Sequence, residues 1–212
     1  MAFDFKKEYR EFYLPGNKPE IIQVPEMKFI SVTGTGDPND ENGAYKNAIG
    51  LLYGTAFTIK MSKRGSRQIA GFYDYVVPPL EGFWWQNGIM GFDCTHKELL
   101  QWISVIRLPD FVTKEDFQWA VNEAGKKKKR DYSLVEYRTI TEGLCVQMMH
   151  IGPFDTEPGS IALMDRYLSE MGYLPDFTDE RLHHEIYLSD ARKVEPARWK
   201  TVIRHPIRKA DQ

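Results

Sequence analysis

Hydrophobic and polar positions fall into two rhythms along the chain. Alternating, β-branched and aromatic runs predict strands over 27–34, 72–77, 80–85, 102–108, 144–151, 183–188 and 200–207. Helical spacing recurs three times. Tyr45, Ala48, Ile49, Leu52, Ala56 and Ile59 form one stripe in a helix over 42–61. Phe117, Ala120, Val121 and Ala124 form a second, opened by Thr113 as N-cap with Glu115 and Asp116 in the first turn. Ile161, Met164, Leu168 and Met171 form the third, over 158–171, and Gly172 stops it. Residues 1–20 read as an arm. Tyr9, Phe12 and Tyr13 are spaced to pack, and Pro15-Gly16-Asn17 breaks the segment.

The order strand, glycine turn, helix and two strands appears over 27–90 and again over 144–207. Gly36-Asp37-Pro38 aligns with Gly152-Pro153-Phe154, and the helix stripes and strand pairs then fall in step. Residues 91–143 read as a connecting strand and helix. The expected fold is α+β, one domain over 1–212. It is a tandem βαββ pseudo-repeat whose two antiparallel sheets carry helices on one face and form a ligand groove on the other. Sites for small molecules favour such interfaces.

Within this plan 183–190 is the informative stretch. Strand alternation sends His184, Ile186 and Leu188 one way and His183, Glu185 and Tyr187 the other. If the apolar side faces a helix, a carboxylate between an imidazole and a phenol faces the groove. A mid-strand Glu is ordinarily solvated. The repeat, by putting this strand beside a groove, makes Glu185 a candidate functional group.

Composition narrows the function. The net charge of −2 gives no electrostatic case for nucleic acid. Lys126-Lys127-Lys128-Lys129-Arg130 reads as a helix end favoured by the dipole. Cys94 and Cys145 form neither a disulfide framework nor a CxxC pair, which suits a reducing cytoplasm. The start of the chain has no secretory apolar region, and no apolar run approaches the ~18 residues of a membrane span. No membrane partner is expected, and the oligomeric state is left open. His183 and His184 point apart and cannot share a metal; His96 and His150 lack ligand spacing. There is no GxSxG elbow, and Gly34-Thr35-Gly36 lacks the rest of a dinucleotide or phosphate loop. Neither metal nor cofactor is expected.

Gly152-Pro153-Phe154 after a strand and Glu185-Ile186-Tyr187-Leu188 in the second half resemble the GyrI-like small-molecule-binding domain. That domain also forms the drug-binding half of multidrug-responsive transcription regulators. The likeness spans roughly residues 25–207. The residues ahead of it are too few for the DNA-binding helix-turn-helix that such regulators carry. Pro79-Leu80-Glu81-Gly82-Phe83-Trp84-Trp85, Glu142-Gly143-Leu144 through to Gly152, and His183-His184-Glu185-Ile186-Tyr187-Leu188-Ser189-Asp190 resemble more narrowly a stand-alone subgroup. It includes the cyclopropanoid cyclopropyl hydrolases, which open the cyclopropane of DNA-alkylating natural products of the yatakemycin and CC-1065 type. The resemblance implies a planar aromatic ligand and a protective hydrolysis.

A cyclopropane conjugated to a dienone is already an electrophile. Its hydrolysis needs an activated water at the ring carbon and a donor to the carbonyl. Glu185 is the candidate base. Tyr187, beside it by parity, is the simplest candidate donor, with Tyr137 and Tyr73 as other tyrosines. Trp85, Phe83, Tyr75, Tyr137 and His183 are candidate ligand contacts. Only one of Trp84 and Trp85 can face the groove, and the resemblance favours Trp85. A second reading keeps the groove without the chemistry: a binding module or sensor for flat, cationic molecules, with Glu185 as counter-charge. A third is gyrase inhibition, as by the family's name-giving member, and no feature of this chain specifically supports it.

Overall fold

The computed structural model describes residues 2–65, 67–89 and 96–210. Cys94, Ser66 of the expected turn at 63–67, and position 90 at the end of the expected first half lie outside the described residues. Two short helices, α1 (Phe5–Glu8) and α2 (Arg10–Tyr13), precede the long strand β1 (Glu20–Thr35). Then come α3 (Ala44–Lys60), β2 (Leu80–Trp85), β3 (Gln101–Arg107), α4 (Lys114–Lys128) and β4 (Glu136–Ile151). The chain ends with α5 (Glu157–Met171), β5 (Tyr173–Pro175), β6 (His183–Tyr187) and β7 (Lys200–Lys209). Thr113 and Asp116 close a reciprocal capping box on α4, and Gly172 ends α5 in the left-handed conformation. Among the described residues no helix is long and apolar enough to cross a membrane.

Among the described residues, the seven strands belong to one antiparallel sheet, in the order β4-β1-β3-β2-β6-β7-β5. β4 also pairs with β7, so six strands close into a barrel-like ring and β5 extends from β7. This corrects the expectation of two sheets. The reason is strand length. β1 and β4 each run for 16 residues, and each is long enough to hydrogen-bond two partners. β1 pairs with β3 through 29–35 and with β4 through 20–31; β4 continues onto β7 through 145–151.

Two further expectations change. Residues 72–77 make only an isolated bridge, between Tyr75 and Phe3. The following Pro78-Pro79 has no amide protons with which to extend a ladder. Residues 101–107, read as a connector, instead lie between β1 and β2 and supply the inner strand of the first half.

Three apolar clusters fill the molecule. On one face α3 and α4 cover Ile30, Val32, Trp84, Trp102 and Ile106 with Leu51, Leu52, Ile59 and Ala120. On the same side α5 covers Val146, Met148, Ile203 and Ile207 with Met164 and Leu168. The opposite face carries Met27, Phe29, Phe83, Val105, Cys145, Ile186 and Val202, and the arm covers it with Phe5, Phe12 and Tyr13. Ile186 therefore faces the arm, and His183, Glu185 and Tyr187 face the helices. Parity along β6 is as expected, but the two sides are exchanged. Helices are not the only cover available, and here aromatic side chains of the arm take that role.

The arm is pinned by polar groups of the sheet. The Arg107 guanidinium lies over the rings of Phe5 and Tyr9, 5.0 and 4.5 Å from their centroids. Arg204 Nη2 donates to the Phe12 carbonyl at 2.7 Å, and Gln147 Nε2 to the Glu11 carbonyl at 2.6 Å. Tyr13 Oη donates to Glu81 Oε1 at 3.3 Å. Buried His184 sits between two carboxylates, with Nδ1 2.9 Å from Glu142 and Nε2 3.1 Å from Glu81. Glu142 also accepts from Arg204 Nη1 at 2.7 Å.

This cluster sets a pH window for stability. Burial alone would raise the Glu142 carboxyl, but His184 and Arg204 outweigh it and hold the group at about 2. Its stabilisation is complete above the usual carboxylate pKa of about 4.5 and is lost as pH falls toward 2. Burial would lower His184, and Glu142 and Glu81 instead raise it. Its stabilisation is complete below 6.5 and fades as pH rises through the raised value. Denaturant titrations across pH are expected to show both limbs. Glu142→Gln should cost about 3–5 kcal/mol at neutral pH and flatten the acid limb.

Candidate functional site

β6 has only five residues, and pairing on both sides fixes where each side chain points. Gly82 of β2 lies opposite Glu185, and Trp84 lies opposite His183. Ile203 of β7 is opposite Glu185 and Thr201 opposite Tyr187. Directly paired residues share a face. Gly82, Trp84, His183, Glu185 and Tyr187 thus converge under the helices, and His205 joins them two residues along β7. The absence of a side chain at Gly82 is what lets Trp84 and Tyr187 meet: Trp84 Nε1 donates to Tyr187 Oη at 2.9 Å.

The helices complete the surroundings. α3 brings Tyr45, its ring 5.2 Å from that of Trp84 and 5.1 Å from that of Trp102. α5 brings buried Glu157 at its first position. That end of α5 is held by His150, whose ring nitrogens contact Ser160 Oγ at 2.9 Å and the Pro153 carbonyl at 3.1 Å. Phe154, in the turn before α5, sets its ring 5.7 Å from Tyr187 and 5.0 Å from Trp199. Glu185 is 4% exposed. It accepts from His183 Nε2 at 2.9 Å, and Tyr187 lies beside it on the same face of β6. His183 Nδ1 in turn lies 2.7 Å from His205 Nε2.

Electrostatics define what these groups can do. Burial, then the charge of Glu185, pushes Tyr187 well above the usual phenol range. Tyr45 is raised mainly by burial. Both phenols are protonated donors. His205 is driven well below the usual imidazole value by burial and then by His183, so it is neutral. The arrangement is a buried carboxylate with two hydrogen-bond donors and an aromatic surround. Such a group can take a proton from water or balance a ligand cation.

Glu157, His183 and Glu185 are also the group, among the described residues, that could hold a metal ion, with ligand atoms all within 4.8 Å. The sequence argument considered adjacent histidines, which do diverge. The cluster instead combines strand positions two apart with a residue from another element.

The expected site residues divide sharply. Glu185, Tyr187 and His183 come together. Phe83 is on the opposite face, stacked on His184 at 3.9 Å. Trp85 follows the parity of Phe83 and pairs with Gln101, so Trp84 replaces it at the site. Tyr75 is buried under the arm near Phe5 and Phe111. Tyr137 packs on Phe117 of α4, and Tyr73 on Phe111. Tyr45, Glu157 and His205 went unrecognised. Tyr45 was assigned to the buried stripe of its helix, which it also serves. For Glu157 the available signal was its place just after Gly152-Pro153-Phe154.

The arrangement is that of a small-molecule-binding domain, and comparison with known proteins identifies its kind. Residues 106–208 match the GyrI-like small molecule binding domain. An uncharacterized conserved protein from Listeria innocua is 48% identical, with a TM-score of 0.92, over 98% of this chain and 100% of that one. Two crystal structures described as hydrolases from Listeria innocua are 46% and 47% identical, with TM-scores of 0.88 and 0.90 and the same coverage. The EcmrR C-terminal domain shares the fold at 15% identity, with a TM-score of 0.54 over 91% of this chain and 98% of that one. No curated protein matches.

A Cβ at position 82 would sit 2.6 Å from Trp84 Nε1 and 2.9 Å from Tyr187 Oη. Gly82→Ala is therefore expected to break the Trp84–Tyr187 hydrogen bond and to cost about 1–3 kcal/mol. A shift in tryptophan emission that is absent from Gly82→Ala in a Trp84→Phe background checks it.

Proposed function

We propose that this chain is a hydrolase that opens the cyclopropane of planar, cyclopropanoid alkylating agents by adding water. The observation that carries the reading is Glu185, a buried carboxylate bonded to His183, beside Tyr187 and surrounded by aromatic rings. The likeness to the Listeria hydrolases supports hydrolytic chemistry. The substrate class rests on the subgroup resemblance of 79–85, 142–152 and 183–190. The chain is read as one domain over 1–212, in which two βαββ halves share the closed sheet. A reducing cytoplasm suits its free, buried Cys145.

Glu185 accepts a proton from water as the water oxygen bonds to the ring carbon. The cyclopropane carbon–carbon bond breaks, and its electrons move through the dienone to the carbonyl oxygen. Tyr187 protonates that oxygen, with Tyr45 as the neighbouring phenol. The proton on Glu185 then returns to the neighbouring Tyr187. The sum is addition of one water. Trp84, Tyr45 and Phe154 provide flat surfaces against which a polyaromatic substrate stacks.

The match of 106–208 to a small molecule binding domain favours a second reading, a binder of flat cations that does no chemistry, with Glu185 as counter-charge. Mass spectrometry separates the two. Substoichiometric protein incubated with a duocarmycin-type cyclopropanoid should give many turnovers to the water adduct. Glu185→Gln should lower the rate about 10²–10⁴-fold while remaining folded. An unchanged compound held in a one-to-one complex would support the binder instead.

A further inference from the structure

Three buried donors converge beside the base: Glu157 and His183 are each 1% exposed and Glu185 is 4% exposed. One imidazole nitrogen and two carboxylate oxygens lie within 4.8 Å of one another. Zinc bonds to such atoms at about 2.0–2.2 Å, which places neighbouring ligand atoms roughly 3–3.5 Å apart. His183 Nε2 and Glu185 Oε1, at 2.9 Å, are already close to that spacing. Only the Glu157 side chain has to move inward.

Two further features favour a cation. Two carboxylates brought together out of water repel one another, and a divalent ion between them relieves the repulsion. His183 also has an orienting partner of the kind that ligating imidazoles use, His205 Nε2 at 2.7 Å from its Nδ1. When His183 donates Nδ1–H to His205, its Nε2 lone pair is released toward the carboxylates. The exchange is a change of tautomer in both rings, so neither imidazole gains or loses a proton overall.

We propose that Glu157, His183 and Glu185 form a binding site for a first-row divalent cation, represented by Zn²⁺, and that the bound cation blocks hydrolysis. The block rests on the reading of Glu185 as base: a carboxylate bonded to zinc no longer takes a proton from water. Binding of the ion does not depend on that reading. The donor set is mixed nitrogen and oxygen, so Zn²⁺ should bind far more tightly than Mg²⁺, which retains its water shell.

Calorimetric titration of Zn²⁺ into the chelator-treated full chain, with no substrate present, is expected to show one equivalent bound. Affinity should fall at least tenfold in Glu157→Gln and in His183→Asn, with folding checked by circular dichroism. Zinc-edge X-ray absorption of the wild-type complex should show one imidazole with oxygen donors, a readout that needs no variant. Absence of binding, unchanged affinity in both folded variants, or sulfur in the ligand shell would overturn the site. Hydrolysis by wild-type protein should decline with the same midpoint as zinc binding and return on chelation. Zinc bound by these ligands with hydrolysis unchanged would overturn the block alone. Hydrolysis that survives Glu185→Gln would instead remove the proposed role of Glu185 and leave the zinc site standing.

Discussion

Antiparallel pairing of β6 with β2 on one side and β7 on the other governs the placement of buried charge. Five residues alternate across the sheet, so His184 and Glu185 are chain neighbours whose side chains never meet. His184 belongs to a network with Glu81, Glu142 and Arg204 on the arm side. Glu185 belongs to a chain with His183, His205 and Tyr187 on the helix side. A shift of one residue in register would exchange the two sets and leave each charge among unsuitable partners. Closure of the sheet resists that slip, because β7 is also committed to β4.

The two sets do different physical work. On the arm side, positive and negative groups are paired at short range. Their energy goes into holding the first residues of the chain against the sheet. On the helix side, Glu185 has phenols and imidazoles around it and no guanidinium among the contacts described. Glu142, by contrast, is held ionised by His184 and Arg204. The two carboxylates are thus distinguished by their partners, even though both are buried.

Much of this was legible from residue pattern alone. The helix stripes at 45–59 and 117–124 match the buried faces of α3 and α4, and that at 161–171 matches α5 except at Met171, which is exposed at the helix end. Alternation over 183–187 correctly grouped His183 with Glu185 and Tyr187. Alternation separates two faces but does not say what covers each, and so the arm and the helices were exchanged. The same limit applied to Trp84 and Trp85, which only the pairing of Gly82 with Glu185 resolves. Ring closure was hidden for a different reason. It depends on where two 16-residue strands change partners, a long-range choice that no local run of residues encodes. Glu157 was missed because its neighbours at the site lie on a strand remote in sequence.

The hydrogen bond from Arg204 to the Phe12 carbonyl joins positions 192 residues apart. The ribosome makes the arm long before β7, yet its seat is unfinished until β7 emerges. Throughout synthesis its aromatic side chains have no completed core to enter, so they are exposed to chaperones and to other nascent chains. A disturbance of the arm would consequently be felt far along the sequence, in the docking of β7.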